Sequence, residues 1–167
     1  MAVIISDTGP LLALAGVEQL ALLKILFKTV LIPAAVYQEC LAKTDHAAAL
    51  IEQAVEQAWL KIEVVPKPEG FPLCLGAGEQ EAMQLAASYE QALLIMDDRL
   101  ARREAMQRKL DFVGTVRVLW LAQQKEVIVD AAQVIDAMAA NGYHISKKLL
   151  EDLRLALDNN PFNNSLR

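Results

Sequence analysis

Short apolar runs alternate with amphipathic stretches along most of the chain. Val3-Ile4-Ile5 and Val30-Leu31-Ile32 are β-branched runs typical of buried strands, and the residues 11–23 between them place apolar side chains at helical spacing. Apolar and polar residues alternate over 59–65, which predicts a half-exposed strand, and the uninterrupted run over 92–96 predicts a buried one. This repeated order of strand and helix predicts an α/β fold with a short, mostly parallel central sheet.

Proline, glycine and small polar residues mark the expected helix boundaries. Pro33 ends the second strand and suits the first turn of a helix over 34–43, and Thr115 is expected to cap the helix that follows the short strand DFVG. Further helices are predicted over 47–58, behind Gly76 and Gly78, and over 99–109; two more lie between 130 and 157, the last capped by Ser146. We therefore expect one domain over 1–158 and a flexible C-terminal tail over 159–167.

Composition and charge narrow the choice of protein class. The 167 residues are 54% hydrophobic and 5% aromatic, which favours helices packed on an aliphatic sheet over a β-sandwich. The net charge of -5 excludes a global basic field, so any nucleic-acid contact must come from a local patch. Cys40 and Cys74 have no second pair of metal ligands nearby, and Asp7 interrupts the apolar start. We expect buried thiols in a soluble, cytoplasmic protein without membrane contact.

Acidic side chains recur where strands end or helices begin. In a parallel sheet these positions meet along one edge, so the carboxylates are expected to converge there. Clustered carboxylates repel one another unless a cation neutralises them, and Mg²⁺ or Mn²⁺ prefers oxygen ligands of this kind. Such a centre suits hydrolysis of a phosphodiester. The six acids are Asp7, Glu39, Glu79, Glu81, Asp97 and Asp98.

Each of these motifs also has another interpretation. Asp7, Asp97 and Asp98 could serve as turn or cap residues, and an acid near a helix start is favourable without any cation. Asp7-Thr8-Gly9 is also the signature of aspartic proteases, which need two such aspartates in a β-rich fold, whereas this chain has one copy followed by a helix. Gly76-Ala77-Gly78 lacks both the third glycine and the lysine of phosphate-binding loops.

Several of these segments together resemble the PIN domain, the nuclease fold of VapC-type toxins from prokaryotic toxin–antitoxin pairs. The resemblance begins with the strand ending in Asp7-Thr8, continues with Pro33-x-x-Val36-x-x-Glu39, and ends with LLIMDDR. LGAGEQEAMQLA, FVGTVRVLWLA and NGYHIS are further similar to a PIN-like group long catalogued as a domain of unknown function. The resemblance covers about residues 2–157. It implies a three-layer α/β/α fold with C-terminal helices and a Mg²⁺- or Mn²⁺-dependent endoribonuclease.

The resemblance also implies roles for individual acids. Asp7 matches the first acid of the family and Glu39 the second. Helical periodicity does not choose between Glu79 and Glu81 for the third, and the alanine-rich run that follows favours Glu81. Asp98 is the closer match for the fourth acid, with Asp97 beside it, because Met96 stands where the family commonly has threonine. The catalytic set implied is Asp7, Glu39, Glu81 and Asp98, with Glu79 and Asp97 as further cation ligands.

Candidate substrate contacts lie beside these acids. Ser6 and Thr8 flank Asp7, and Arg99 and Arg102 open the dense basic stretch, which suits RNA phosphates or is simply a solvated helix face. His46 and His144 have no spacing that suggests a ligand. The resemblance implies an RNA substrate and a homodimer. An alternative is a catalytically weak PIN-like module that acts by binding an antitoxin-like protein.

Overall fold

The computed structural model describes residues 2–146 and residue 151 of the chain. It contains a five-stranded sheet in the order β3-β2-β1-β4-β5, and every pair of neighbouring strands is parallel. The predicted helix after Ser146 and the predicted tail over 159–167 lie outside the described residues. The strands are β1 (Val3–Ser6), β2 (Val30–Pro33), β3 (Leu60–Glu63), β4 (Ala92–Ile95) and β5 (Asp111–Val113).

Helices cover both faces of this sheet, so the predicted three-layer α/β/α fold is confirmed. One core cluster joins α1, α2, α4, α7 and α8 to one face, and a second joins α5 and α6 to the other. The described helices are α1 (Thr8–Gly16), α2 (Ala21–Phe27), α3 (Ala34–Cys40), α4 (His46–Glu56), α5 (Ala77–Ala87), α6 (Arg99–Gln107), α7 (Thr115–Gln124) and α8 (Ala131–Ala140). Cover on both faces explains why the central strands are apolar apart from Ser6 at the end of β1.

Strand β1 occupies the centre of the sheet. Ile5 pairs with Leu31 on β2 and with Leu94 on β4, and Ser6 pairs with Ile95. The backbone N–H of the next residue, Asp7, still donates to the Ile95 carbonyl at 3.0 Å. The first acid of the chain is therefore held at the carboxyl edge of the sheet by its own main chain.

Three local expectations are wrong. The predicted helix over 11–23 is two helices, α1 and α2, because the chain breaks between them at Glu18, whose φ is 58°. Thr115 is the first helical residue of α7 and does not cap it, since its hydroxyl bonds to another side chain. Both cysteines are free, but only Cys40 is buried; Cys74 is exposed in the loop before α5.

The apolar helices are short. Within the described ranges, no single helix has both the length and the apolar character needed to cross a membrane. Helices α1 and α2 meet that requirement only when taken together, and they are bent by 117° at their junction.

Candidate functional site

Asp7 is the buried centre of the acidic edge, by which we mean the carboxyl edge of the sheet together with Asp7, Glu39, Glu79, Asp97 and Asp98. Its side chain is 5% exposed and occupies the N-cap position of α1 without capping the helix. Among the described residues, its Oδ1 atom has no hydrogen-bond partner. Burial raises the pKa of Asp7 to about 7, the charges of Glu79, Glu39 and Asp97 act in the same direction, and the Thr8 N–H opposes them. A buried oxygen without a partner is costly, so this carboxyl is a candidate for a function.

Glu39 is oriented from two sides. It lies in the last turn of α3, where its Oε2 accepts the Thr8 hydroxyl at 2.5 Å and its Oε1 accepts the Gly78 N–H at 2.9 Å. Gly78 belongs to the first turn of α5, so the carboxylate also lies at the positive end of that helix. A Cβ atom at residue 78 would stand 2.5 Å from Oε2 and 2.9 Å from Cδ of Glu39. Glycine at this position is what lets α5 approach the acid.

We expect Gly78→Ala to lower the free energy of unfolding by about 1–2 kcal/mol. The new methyl group forces the Glu39 carboxylate to move away from the Thr8 hydroxyl and the Gly78 N–H, and the loss of these two hydrogen bonds outweighs the higher helix propensity of alanine. Gly9→Ala in α1 is the matched control, because a Cβ there meets nothing within 4 Å. Urea denaturation at pH 7 measures both variants. Equal stability of the two would show that the approach of α5 to Glu39 is not tight.

The structure separates the two candidates for the third acid. Glu79 Oε2 accepts the Gly76 N–H at 3.0 Å, and its pKa is raised by burial and then by the charges of Asp98 and Glu39. Glu81 Oε2 instead accepts the Ala35 N–H at 2.9 Å, at the start of α3. Glu79 therefore faces the other acids and Glu81 caps a helix. This placement does not support the preference for Glu81.

The neighbouring residues Asp97 and Asp98 make different contacts. Asp98 is exposed at the N-cap of α6, where its Oδ1 accepts the Ala101 N–H at 2.9 Å, and its charge acts on Glu79. Asp97 accepts the N–H of Thr115 at 2.8 Å and its hydroxyl at 2.6 Å, and its charge acts on Asp7. Both carboxylates border the acidic edge, but Asp97 is bound to α7.

The four predicted substrate contacts are not equivalent. Ser6, predicted as a substrate contact, is fully buried and donates its hydroxyl to the Asp7 carbonyl at 2.9 Å. The Thr8 hydroxyl donates to the Glu39 carboxylate. Arg102 is half-buried, donates from Nε to the Met96 carbonyl at 2.8 Å and lies over the Phe112 ring. Arg99, exposed in the first turn of α6, is the group open to a ligand.

The acidic edge suits a hard divalent cation in the chemistry of its donors. Three side chains whose charges act on Asp7, those of Glu79, Glu39 and Asp97, offer carboxylate oxygens, and the Oδ1 atom of Asp7, which has no partner among the described residues, is a ready ligand. Within residues 2–146 and 151, however, no three acidic, histidine or cysteine side chains form a complete ligand group. Glu39, Glu79, Asp97 and Asp98 each accept a protein N–H or O–H. A cation would share these oxygens with those donors or displace them.

Sequence reasoning missed two contributors to this edge. Gly78 was available as a signal, because a second glycine inside a helical turn indicates close backbone approach. Thr115 gave no comparable signal, since its partner Asp97 is distant in sequence. Both act by holding an acid in place, a function that only the fold reveals.

Comparison with known proteins gives the family. A family model described as a PIN domain matches residues 3–158, so the chain belongs to the PIN domain family. PIN domains are generally nucleases and usually use divalent metals, which supports an enzyme of the nuclease type. No curated protein matches the chain.

Proposed function

We propose that this protein is a divalent-cation-dependent endoribonuclease of the VapC toxin type. The observation that carries the proposal is the buried Asp7, whose Oδ1 lacks a hydrogen-bond partner among the described residues while three other acids raise its pKa. A cation at this point satisfies that oxygen and offsets the repulsion between the carboxylates. Family membership supports the reaction class, hydrolysis of a phosphodiester.

Asp7, Glu39, Glu79 and Asp98 are the residues that we assign to the cation, either Mg²⁺ or Mn²⁺. When bound, the cation supplies positive charge for the phosphodiester and lowers the pKa of water. Asp7 contributes a side chain that is already removed from bulk solvent. Glu39 is fixed by the Thr8 hydroxyl and the Gly78 N–H, so little side-chain freedom is lost when it engages.

RNA is expected to enter from the rim of this edge. The chain has a net charge of -5, so the phosphate backbone must be received by a local cationic group. Arg99 fits that role, because it is exposed and directly follows Asp98. A contact of this kind positions the backbone without reading its sequence.

A binding module remains the second candidate, and one observation favours it. Four of the five carboxylates at the edge already accept protein donors, and the described residues hold no complete ligand group. As a binding module, the fold would act by docking an antitoxin-like protein. A panel of single-stranded and structured RNAs distinguishes the two functions, because only the enzyme cuts RNA in Mn²⁺ and stops in EDTA.

The third acid provides the sharper test of the enzyme. We expect Glu79→Gln to lower the Mn²⁺-dependent rate of RNA cleavage by about a hundredfold or more, because it removes a charge that faces the other acids. Glu81→Gln is the matched control and should keep most of the rate, since the amide oxygen can still accept the Ala35 N–H. Initial rates on one labelled RNA measure both. A larger loss in Glu81→Gln would return the assignment to Glu81.

A further inference from the structure

The Asp97 carboxylate is held by the first residue of a distant helix. Thr115 donates its backbone N–H to Oδ1 and its hydroxyl to Oδ2, so both oxygens are engaged by one residue at the start of α7. Thr115 itself is fully buried. Hydrogen bonds to a charged acceptor in such a place are among the stronger ones in proteins. The end of β4 is thereby fastened to α7.

A second element reaches the same carboxylate. Tyr143, in the segment after α8, places its hydroxyl beside Asp97 and Thr115. Burial raises the pKa of Tyr143, and the negative charge of Asp97 raises it further, whereas the positive charge of Arg102 lowers it. The Tyr143 backbone is itself fixed, because its N–H donates to the Met138 carbonyl at 3.0 Å. Asp97 thus lies among groups that donate to it or carry positive charge.

We propose that Asp97 is a positioning residue and not a cation ligand, and that its bonds to Thr115 orient the adjacent Asp98 toward the cation. This inference rests on the proposed function. A carboxylate has about four lone-pair sites, and Thr115 already takes one on each oxygen of Asp97. The Tyr143 hydroxyl and the Arg102 guanidinium lie near the same carboxylate, which leaves less room for a cation than at Glu39. Asp98 is an exposed residue, and within the described part of the chain its Oδ1 accepts the Ala101 N–H.

The geometry of the strand end explains how one residue acts through the other. Asp97 and Asp98 are adjacent, so their side chains leave the chain in different directions, the first to α7 and the second to the N-terminus of α6 beside Glu79. Fixing Asp97 therefore fixes the backbone that carries Asp98. Outer partners that orient a metal ligand are worth about 10–100-fold in metal affinity.

Mn²⁺ titration of the full-length protein, followed by the spin-resonance signal of free Mn²⁺, tests this assignment without any RNA. We expect Thr115→Val and Asp97→Asn each to raise the Kd for Mn²⁺ by about tenfold. The double variant should be no weaker than either single variant, because Thr115→Val removes the hydroxyl donor and Asp97→Asn removes the charge that strengthens the same pair of hydrogen bonds. Asp98→Asn should raise the Kd for Mn²⁺ at least about tenfold more than either of these single variants does. Thr115→Ser keeps the hydroxyl and should bind Mn²⁺ like the wild type.

Two results would overturn the inference: a Kd for Asp97→Asn as weak as that for Asp98→Asn, or effects of Asp97→Asn and Thr115→Val that multiply. If the wild type itself binds no Mn²⁺, the proposed function fails instead. The anchor is then judged by melting temperatures in EDTA. Losses of Tm that are less than additive in Asp97→Asn/Thr115→Val support it, and additive losses contradict it.

Discussion

In metal-free buffer at pH 8, Asp7→Asn is expected to be more stable than the wild type by about 4 kcal/mol. Burial and the surrounding acids raise the pKa of Asp7 from 3.8 to about 7, and each pKa unit corresponds to about 1.4 kcal/mol. Asparagine removes the buried charge, and its amide can donate to the carboxylates nearby. For a chain of this size the gain corresponds to a rise in Tm of roughly 10 °C.

The sign of this effect depends on pH. Because the folded-state pKa of Asp7 lies above its unfolded value, folding takes up a proton between about pH 4 and 7, and wild-type stability falls as the pH rises through that window. The two proteins should therefore have similar Tm values near pH 4 and diverge toward pH 8. Asp136→Asn on α8 is the control, since that side chain is exposed. A constant difference between wild type and Asp7→Asn at all pH values would contradict the assignment.

The same substitution is expected to lower the Mn²⁺-dependent rate of RNA cleavage by at least about a thousandfold. It removes the charge at the centre of the acidic edge, and a loss of this size corresponds to about 4 kcal/mol of transition-state stabilisation. Initial rates with a labelled RNA substrate measure the loss, with Asp136→Asn again as control. Because Asp7→Asn is expected to be the more stable protein, unfolding cannot explain a lower rate.

Two further variants define the cluster. Glu39→Gln and Asp98→Asn should each also lower the rate by several orders of magnitude, and combining either with Asp7→Asn should add little, because residues that act on one cation are not independent. MnCl₂ should raise the Tm of the wild type but hardly that of Asp7→Asn, since a cation stabilises only the state that binds it. Cleavage by Asp7→Asn at the wild-type rate would exclude this edge as the active site.

The sequence was sufficient for those parts of the fold that follow from periodicity. The apolar strands and the Gly/Pro boundaries give the α/β order, and acids at strand ends imply convergence at one edge. Helix bounds were less secure: the stretch 11–23 is apolar at helical spacing throughout, so nothing in that pattern reveals the break at Glu18. Tertiary packing, and not local propensity, decides where α1 ends.

The residues of the candidate site were likewise only partly predictable from the sequence. Asp7 and Glu39 could be chosen because each occupies a definite place in a motif, whereas Glu79 and Glu81 lie on either side of one apolar stripe and differ only in what they meet. Glu81 meets the Ala35 N–H, and Glu79 faces Glu39 and Asp98. Ser6 shows that a small polar residue beside an acid can be wholly buried, which its place in the sequence does not reveal. Such differences depend on contacts between distant segments.

The position of β1 in the middle of the sheet has a consequence for how the acidic edge forms during folding. β1 and β2 are close in sequence, but β1 reaches β4 only when Ile5 pairs with Leu94, across about half of the chain. Closing so long a loop is entropically costly and is typically slow. Asp7 and Glu39 can come together early, while Asp97 and Asp98 join them only after this last pairing. The complete set of acids is therefore a marker of the finished fold, absent from any intermediate in which the two halves of the sheet are still apart.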